Sequence, residues 1–187
     1  MPSTIQIIDE NILLWIQNYI RQEILNSPVE LFNIMGNGGL IWIILSLAMI
    51  CWKPTRKAGL LAGLALVFSL IFTNLGLKPF FARPRPYLVM EGIIPLLTSM
   101  DPNSFPSGHT SAAFAAGMVW ARTLPNRWMR IVSVVMAVCM GLSRLYVGVH
   151  YPSDVLAGAL IGSICAILSL GIAYFIQGRK KEQSIAP

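Results

Sequence analysis

Charge is what this chain has least of. Asp, Glu, Lys and Arg make up 12% of its 187 residues, where a soluble domain carries roughly 25%. That deficit excludes an ordinary soluble surface. Hydrophobic residues reach 55%, and the mean hydropathy is +0.65, so the expectation is an integral membrane protein. Cysteine is scarce as well: Cys51, Cys139 and Cys165 are an odd set without paired spacing, which excludes a disulfide framework and a zinc pattern. All three fall in or at the end of apolar stretches, where a thiol packs as a small hydrophobe. A basic stretch near residue 1 followed by a clean small-residue cleavage site is also missing, which argues against a cleaved signal peptide.

What is present is apolar sequence in lengths that fit a bilayer. Stretches near 31–52, 58–77, 105–124, 128–147 and 154–176 each approach the roughly 20 residues a spanning helix needs. The predicted fold is an all-α integral membrane bundle of about five transmembrane helices. The first stretch is interrupted by Asn33, Asn37 and Gly38-Gly39, and the third opens with Ser, Thr and His; such polar groups are costly in a span unless they face protein or water. Residues 1–30 carry Ile12, Leu13, Trp15, Ile16, Tyr19 and Ile20 at helical spacing, interleaved with Gln17, Asn18 and Arg21. They read as an amphipathic helix at the membrane interface. The expected organisation is thus 1–30 interfacial, 31–177 transmembrane, and 178–187 a basic cytoplasmic tail.

The fourteen Lys and Arg residues against eight acids invite a nucleic-acid reading until they are sorted by side. Nine of them, Lys53, Arg56, Lys57, Arg122, Arg127, Arg130, Arg179, Lys180 and Lys181, fall at one end of a five-span bundle. By the positive-inside rule that end is cytoplasmic, and no nucleic-acid partner is implied. The other five are Arg21, Lys78, Arg83, Arg85 and Arg144, and the last four stand near the only two histidines, His109 and His150.

Three clusters therefore meet at the external face. Lys78 and Arg85 lie in Lys78-Pro-Phe-Phe-Ala-Arg-Pro-Arg-Pro86, where Pro79, Pro84 and Pro86 forbid one regular helix. Ordinary snorkelling toward headgroups is the competing account of these cations. Pro106-Ser107-Gly108-His109 opens the third span; a helix N-terminus with a glycine for close approach suits an anion. Here the competing account is a histidine satisfied within the bundle. Arg144 closes the fourth span, and His150 precedes Asp154, placed at the N-cap of the fifth. An Asp on one ring nitrogen would fix the tautomer and leave the other free as base or nucleophile, although a cap and a tight turn would explain the same residues. Two histidines and an Asp could also form a facial metal triad, but four neighbouring cations would repel a divalent ion, so no metal and no cofactor are expected.

Taken together, Lys78 to Arg85-Pro86, Pro106-Ser107-Gly108-His109, and Ser143-Arg144 to His150 and Asp154 resemble the three-part signature of the phosphatidic acid phosphatase type 2 superfamily. The resemblance extends from about residue 30 to 176. It implies a metal-independent phosphatase in which His150 is the nucleophile carrying a phosphohistidine, Asp154 orients it, and His109 is the general acid and base. Lys78, Arg85, Ser107, Gly108 and Arg144 would hold the phosphoryl oxygens. Arg83 lies inside the first motif but outside its usual positions, and is left as an accessory cation. The resemblance further implies a lipid phosphate substrate met in the bilayer among membrane lipids, at the outer face of a plasma or inner membrane. Undecaprenyl diphosphate is the first expectation, with phosphatidylglycerophosphate or phosphatidate as the alternative. An anion or lipid transporter with the same polar cluster and no turnover is the reading from another class.

Overall fold

Helix α1 (Thr4–Trp15) starts on Ser3, whose hydroxyl accepts from the Gln6 amide at 3.2 Å, and ends in a π-helical turn, Ile16–Ile20. In this computed structural model, which describes residues 3–99 and 101–185 and side chains as far as residue 179, α1 exposes Ile5, Ile8, Ile12 and Trp15 but buries Asp9 and Leu13. The far side chains of the expected basic tail, and residues 1, 2, 100, 186 and 187, lie outside the described residues.

After an extended break at Arg21 and Gln22, α2 (Glu23–Gly36) leads through a short turn into α3 (Leu40–Cys51). The turn is made by Gly38 (φ 60°) and Gly39 (φ 76°), left-handed positions that glycine adopts at little steric cost. Next come α4 (Arg56–Ser69), a π-helical stretch (Leu70–Leu77) and α5 (Lys78–Phe81). The short α6 (Pro86–Val89) lies in the connection to α7 (Gly108–Thr123), which is followed by α8 (Arg127–Tyr146) and α9 (Pro152–Ile185). The architecture is all-helical. Among the described residues, Glu23–Cys51, Lys53–Phe81, Arg127–Tyr146 and Pro152–Arg179 are long and apolar enough to cross a membrane.

The third expected span is α7, and it differs from the others for a physical reason. It has 16 residues, about 24 Å of helix against a hydrocarbon core of about 30 Å. It is also the centre of the bundle, with α4, α8 and α9 packed around it and Thr110, Ser111, Ala113, Ala115, Ala116, Gly117, Val119 and Trp120 buried. Because it faces protein on nearly every side, small and hydroxylated residues serve where a lipid-facing helix needs leucine. Ser111 Oγ lies 2.7 Å from Ser69 Oγ and 2.8 Å from Thr73 Oγ1 on the neighbouring helix. On the α9 side a Cβ at Gly162 would stand 2.3 Å from the Ser111 carbonyl oxygen, so only glycine lets the two backbones approach this closely. Lower in the bundle Trp42 and Trp120 pack with ring centroids 5.8 Å apart, a contact worth about 0.5–1.5 kcal/mol beyond its burial.

Candidate active site

The start of α7, the ends of the second and fourth spans and the turn 147–151 meet at one end of the bundle. A cavity of about 860 Å³ opens there, with Lys78, Arg85, Gly108, His109, Arg144 and His150 among its lining residues. Six of the eight residues singled out by motif thus share one space. Asp154 and Ser107 stand behind it, both fully buried.

His150 is 1% exposed. Its Nδ1 lies 3.4 Å from Asp154 Oδ2, within ion-pair distance although outside hydrogen-bond alignment, and its Nε2 lies 3.3 Å from Arg85 Nη1. A guanidinium can only donate, so Nε2 is the bare nitrogen and Nδ1 carries the proton toward the carboxylate. Burial first, and then the positive charges of Arg144, Arg85 and Lys78, hold the imidazole pKa well below its ordinary value. A neutral ring with a free Nε2 is the state a nucleophile needs.

Asp154 sits three residues further into its helix than the N-cap, which is Tyr151. Pro152 opens α9, and Asp154 Oδ2 reaches back to accept from the Tyr151 amide at 2.9 Å. This is the returning arm of a capping box, so the cap and the hold on His150 use the same oxygen. Ser107, in contrast, does sit at an N-cap. Its Oγ accepts from the Thr110 amide at 3.4 Å and the Thr110 hydroxyl at 2.9 Å, and its own amide donates to the Asp154 carbonyl at 3.1 Å. What it can still offer an anion is its hydroxyl hydrogen. The Gly108 and His109 amides, in the first turn of α7, have no intrahelical acceptor. A Cβ at position 108 would lie 2.6 Å from Asn74 Oδ1, so any larger residue there would have to displace the Asn74 amide.

Three cations surround the cavity. Arg85 is fixed by its donations from Nε to the Asp101 carbonyl (2.6 Å) and from Nη1 to the Val149 carbonyl (3.0 Å). Lys78 Nζ is 2.5 Å from Asp101 Oδ2. Burial alone would raise the Asp101 pKa, but Lys78 and the Asn103 amide outweigh it and bring the carboxyl below its usual range. Arg144 donates from Nη1 to Asn33 Oδ1, while its buried Nε has no protein partner among the described residues. The Asn33 carbonyl and Asn37 Oδ1 lie 3.3 and 3.0 Å from His109 Nε2. Both are acceptors, so that nitrogen carries the proton.

Asn33 and Asn37 are therefore site residues that sequence reasoning had noted only as weak points of the first span. Their i, i+4 spacing puts them on one helical face, and that was the available signal. Among the described residues, no three His, Cys, Asp or Glu side chains are grouped so as to hold a metal.

Comparison with known proteins identifies the family. The chain matches the PAP2 superfamily over residues 58–177. It is 32% identical over 145 residues to an undecaprenyl-diphosphatase of Sulfolobus acidocaldarius, spanning 78% of this chain and 69% of that one. Among solved structures it is similar to Aquifex aeolicus LpxE, with a TM-score of 0.77, 29% identity and coverage of 88% and 95% of the two chains. It is also similar to the transmembrane PAP2-type phosphatidylglycerolphosphate phosphatase of Bacillus subtilis, with a TM-score of 0.74, 28% identity and coverage of 94% and 89%. The chain belongs to the PAP2 superfamily. It is a multi-pass membrane lipid phosphatase.

Proposed function

We propose that the protein removes phosphate from undecaprenyl diphosphate at the outer face of the plasma or inner membrane, through a phosphohistidine on His150. The observation that carries this reading is the continuity of one cavity. Its polar end holds Lys78, Arg85, Arg144 and the two histidines, and its other end runs between α3 and α4 along Ile43, Leu47, Ile50, Leu60 and Val67. From Asn37 to Ile50 that wall descends about 20 Å at a helical rise, so one space accommodates a phosphate and a long apolar tail. The similarity to a named undecaprenyl-diphosphatase supports the polyprenyl tail. Similarity to the phosphatidylglycerolphosphate phosphatase favours the diacylglycerol alternative.

In the proposed reaction His150 Nε2 attacks the terminal phosphorus. An Nε2–P bond forms as the bond to the bridging oxygen breaks, and His109, entering as the imidazolium, gives a ring proton to the departing oxygen and is left neutral. Asp154 balances the charge that develops on the His150 ring. Lys78, Arg85, Arg144, the Ser107 hydroxyl and the Gly108 amide hold the three phosphoryl oxygens, placing fixed donors where charge accumulates. A water then attacks the phosphohistidine, yields its proton to His109, and the Nε2–P bond breaks to release phosphate.

Phosphate release by purified protein, with undecaprenyl diphosphate, phosphatidylglycerophosphate and phosphatidate compared side by side, tests the proposal. Release is expected to persist in EDTA, to fall with vanadate and to vanish in His150→Ala. The tail with the highest kcat/KM identifies the substrate. Equal release by His150→Ala would overturn the nucleophile, and binding without any release would indicate a carrier.

A further inference from the structure

We infer that Arg83, held from the N-terminal helix by Asp9, is a positioning residue for the Asp154–His150 pair, which makes α1 a working part of the phosphatase site. The inference rests on the reading of His150 as nucleophile.

Arg83 spends both terminal nitrogens on a closed set of acceptors. Nη1 donates to Asp154 Oδ1 at 2.8 Å and to Ser153 Oγ at 2.7 Å, while Nη2 donates to Asp9 Oδ2 at 2.8 Å and to Gln6 Oε1 at 2.6 Å. Its guanidinium lies over the Tyr151 ring, 3.9 Å from the centroid. Asp9 in turn accepts from the Ser153 amide at 2.9 Å and the Ser153 hydroxyl at 2.5 Å. Each bond to α1 joins residues more than 70 apart in sequence.

The two oxygens of Asp154 thus have separate duties. Oδ2 serves the Tyr151 amide and faces His150, and Oδ1 is occupied by Arg83. A carboxylate with no exposed surface is costly to keep ionised without a partner, and the nearest cation bonded to it is Arg83. A planar fork bonded on one edge also fixes how the carboxylate is turned. Arg83 is itself aimed by its neighbours. Ala82 takes a left-handed conformation (φ 45°) that ends α5, and the Arg83 carbonyl accepts from the Ser104 amide at 2.7 Å. Asp9, buried on a helix that otherwise exposes isoleucines, supplies the second charge. One cation between two carboxylates leaves this side of His150 with a net negative charge, which favours the positive ring formed on phosphorylation.

The test uses the full chain in detergent micelles with phosphatidate and undecaprenyl diphosphate, scoring kcat and KM separately. Arg83→Gln is expected to lower kcat about 10- to 100-fold with KM within about 3-fold, as for loss of one charge-assisted bond to a buried carboxylate. Asp9→Asn should lower kcat less, and Arg83→Lys should recover part of it. The deciding measurement is the cycle with Asp154→Asn. If Arg83 acts through Asp154, the double variant is no slower than Asp154→Asn alone. Independent, multiplying losses would overturn the inference, as would a normal kcat in Arg83→Gln. Should Arg83→Gln not fold, Arg83→Lys combined with Asp154→Asn gives the same decision. Activity surviving in His150→Ala would instead refute the nucleophile, so the two failures are distinguishable.

Discussion

At the scale of single residues, the proposed chemistry depends on keeping His150 unprotonated while surrounding it with cations. Its ring lies in the turn between the fourth and last long helices, and burial followed by Arg144, Arg85 and Lys78 depresses its pKa far below the ordinary value of about 6.5. The sign follows directly. Lowering the pH protonates His150, the proposed nucleophile, only once it reaches that depressed pKa, so the acid limb of kcat/KM is expected well below pH 6.5. In Arg85→Gln one of the depressing charges is gone, and the limb is expected to move up toward neutrality. A pH–rate profile run with both a monophosphate and a diphosphate lipid checks this, because a limb shared by the two substrates belongs to the enzyme. A wild-type limb at pH 6.5 or above would contradict it. These residues were legible in the sequence because their types are rare in so apolar a chain and their spacings are short. Asn33, Asn37 and Asp9 were not: the spacing of the two asparagines marks a shared face but not what it meets, and the partners of all three lie 72 to 144 residues away.

Among the elements, α7 is the one whose sequence signal and structural role diverge most. Its modest hydropathy reads as a weak span, yet that same composition fits it for the centre, where Gly117, Gly158 and Gly162 bring α8 and α9 to backbone contact with it. Local periodicity reports whether a face is apolar, and it cannot say whether that face meets lipid or another helix. The first long helix shows the complementary case. Its Asn and Gly interruptions are visible in sequence, but only the fold reveals that the bend at residues 37–39 places the Asn33 and Asn37 acceptors beside His109. The packing has a measurable consequence. A Cβ at Gly162 would enter the space of the Ser111 carbonyl, and Ser111 sits on the α7 face bonded to Ser69 and Thr73. Gly162→Val is expected to cost about 1–3 kcal/mol of stability by overpacking, and to lower kcat as α7 shifts under the site. Thermal unfolding in detergent measures the first, and a melting temperature equal to wild type would show that α9 gives way instead. Gly63, where an added Cβ meets nothing within 4 Å, supplies the matched control: Gly63→Ala should leave the melting temperature close to wild type.

For the whole molecule, the distribution of charge and the placement of the site form one argument. Helices alternate in direction, so the turns near Lys53 and Arg127 lie at the end of the bundle opposite the candidate site. Nine of the fourteen basic residues gather at that opposite end, and the proposed orientation places them in the cytoplasm. At the site end, three of the remaining cations line the cavity, Arg83 is neutralised between Asp9 and Asp154, and Arg21 donates to the Ile94 carbonyl at 2.7 Å. Those charges are already engaged with the protein and its candidate ligand, so they compete little for the orientation that the other nine impose. The short α7 adds a second point: at about 24 Å it is shorter than a roughly 30 Å hydrocarbon core, as suits a helix enclosed by the other helices. Single-cysteine labelling settles the orientation once Cys51, Cys139 and Cys165 are replaced by Ser. Exposed Glu91 and Lys53 mark the two ends. In intact cells Glu91→Cys is expected to react with a membrane-impermeant maleimide, and Lys53→Cys to react only after the membrane is opened. The reverse pattern would place the site on the cytoplasmic leaflet, and the substrate would then have to be a lipid phosphate presented from inside.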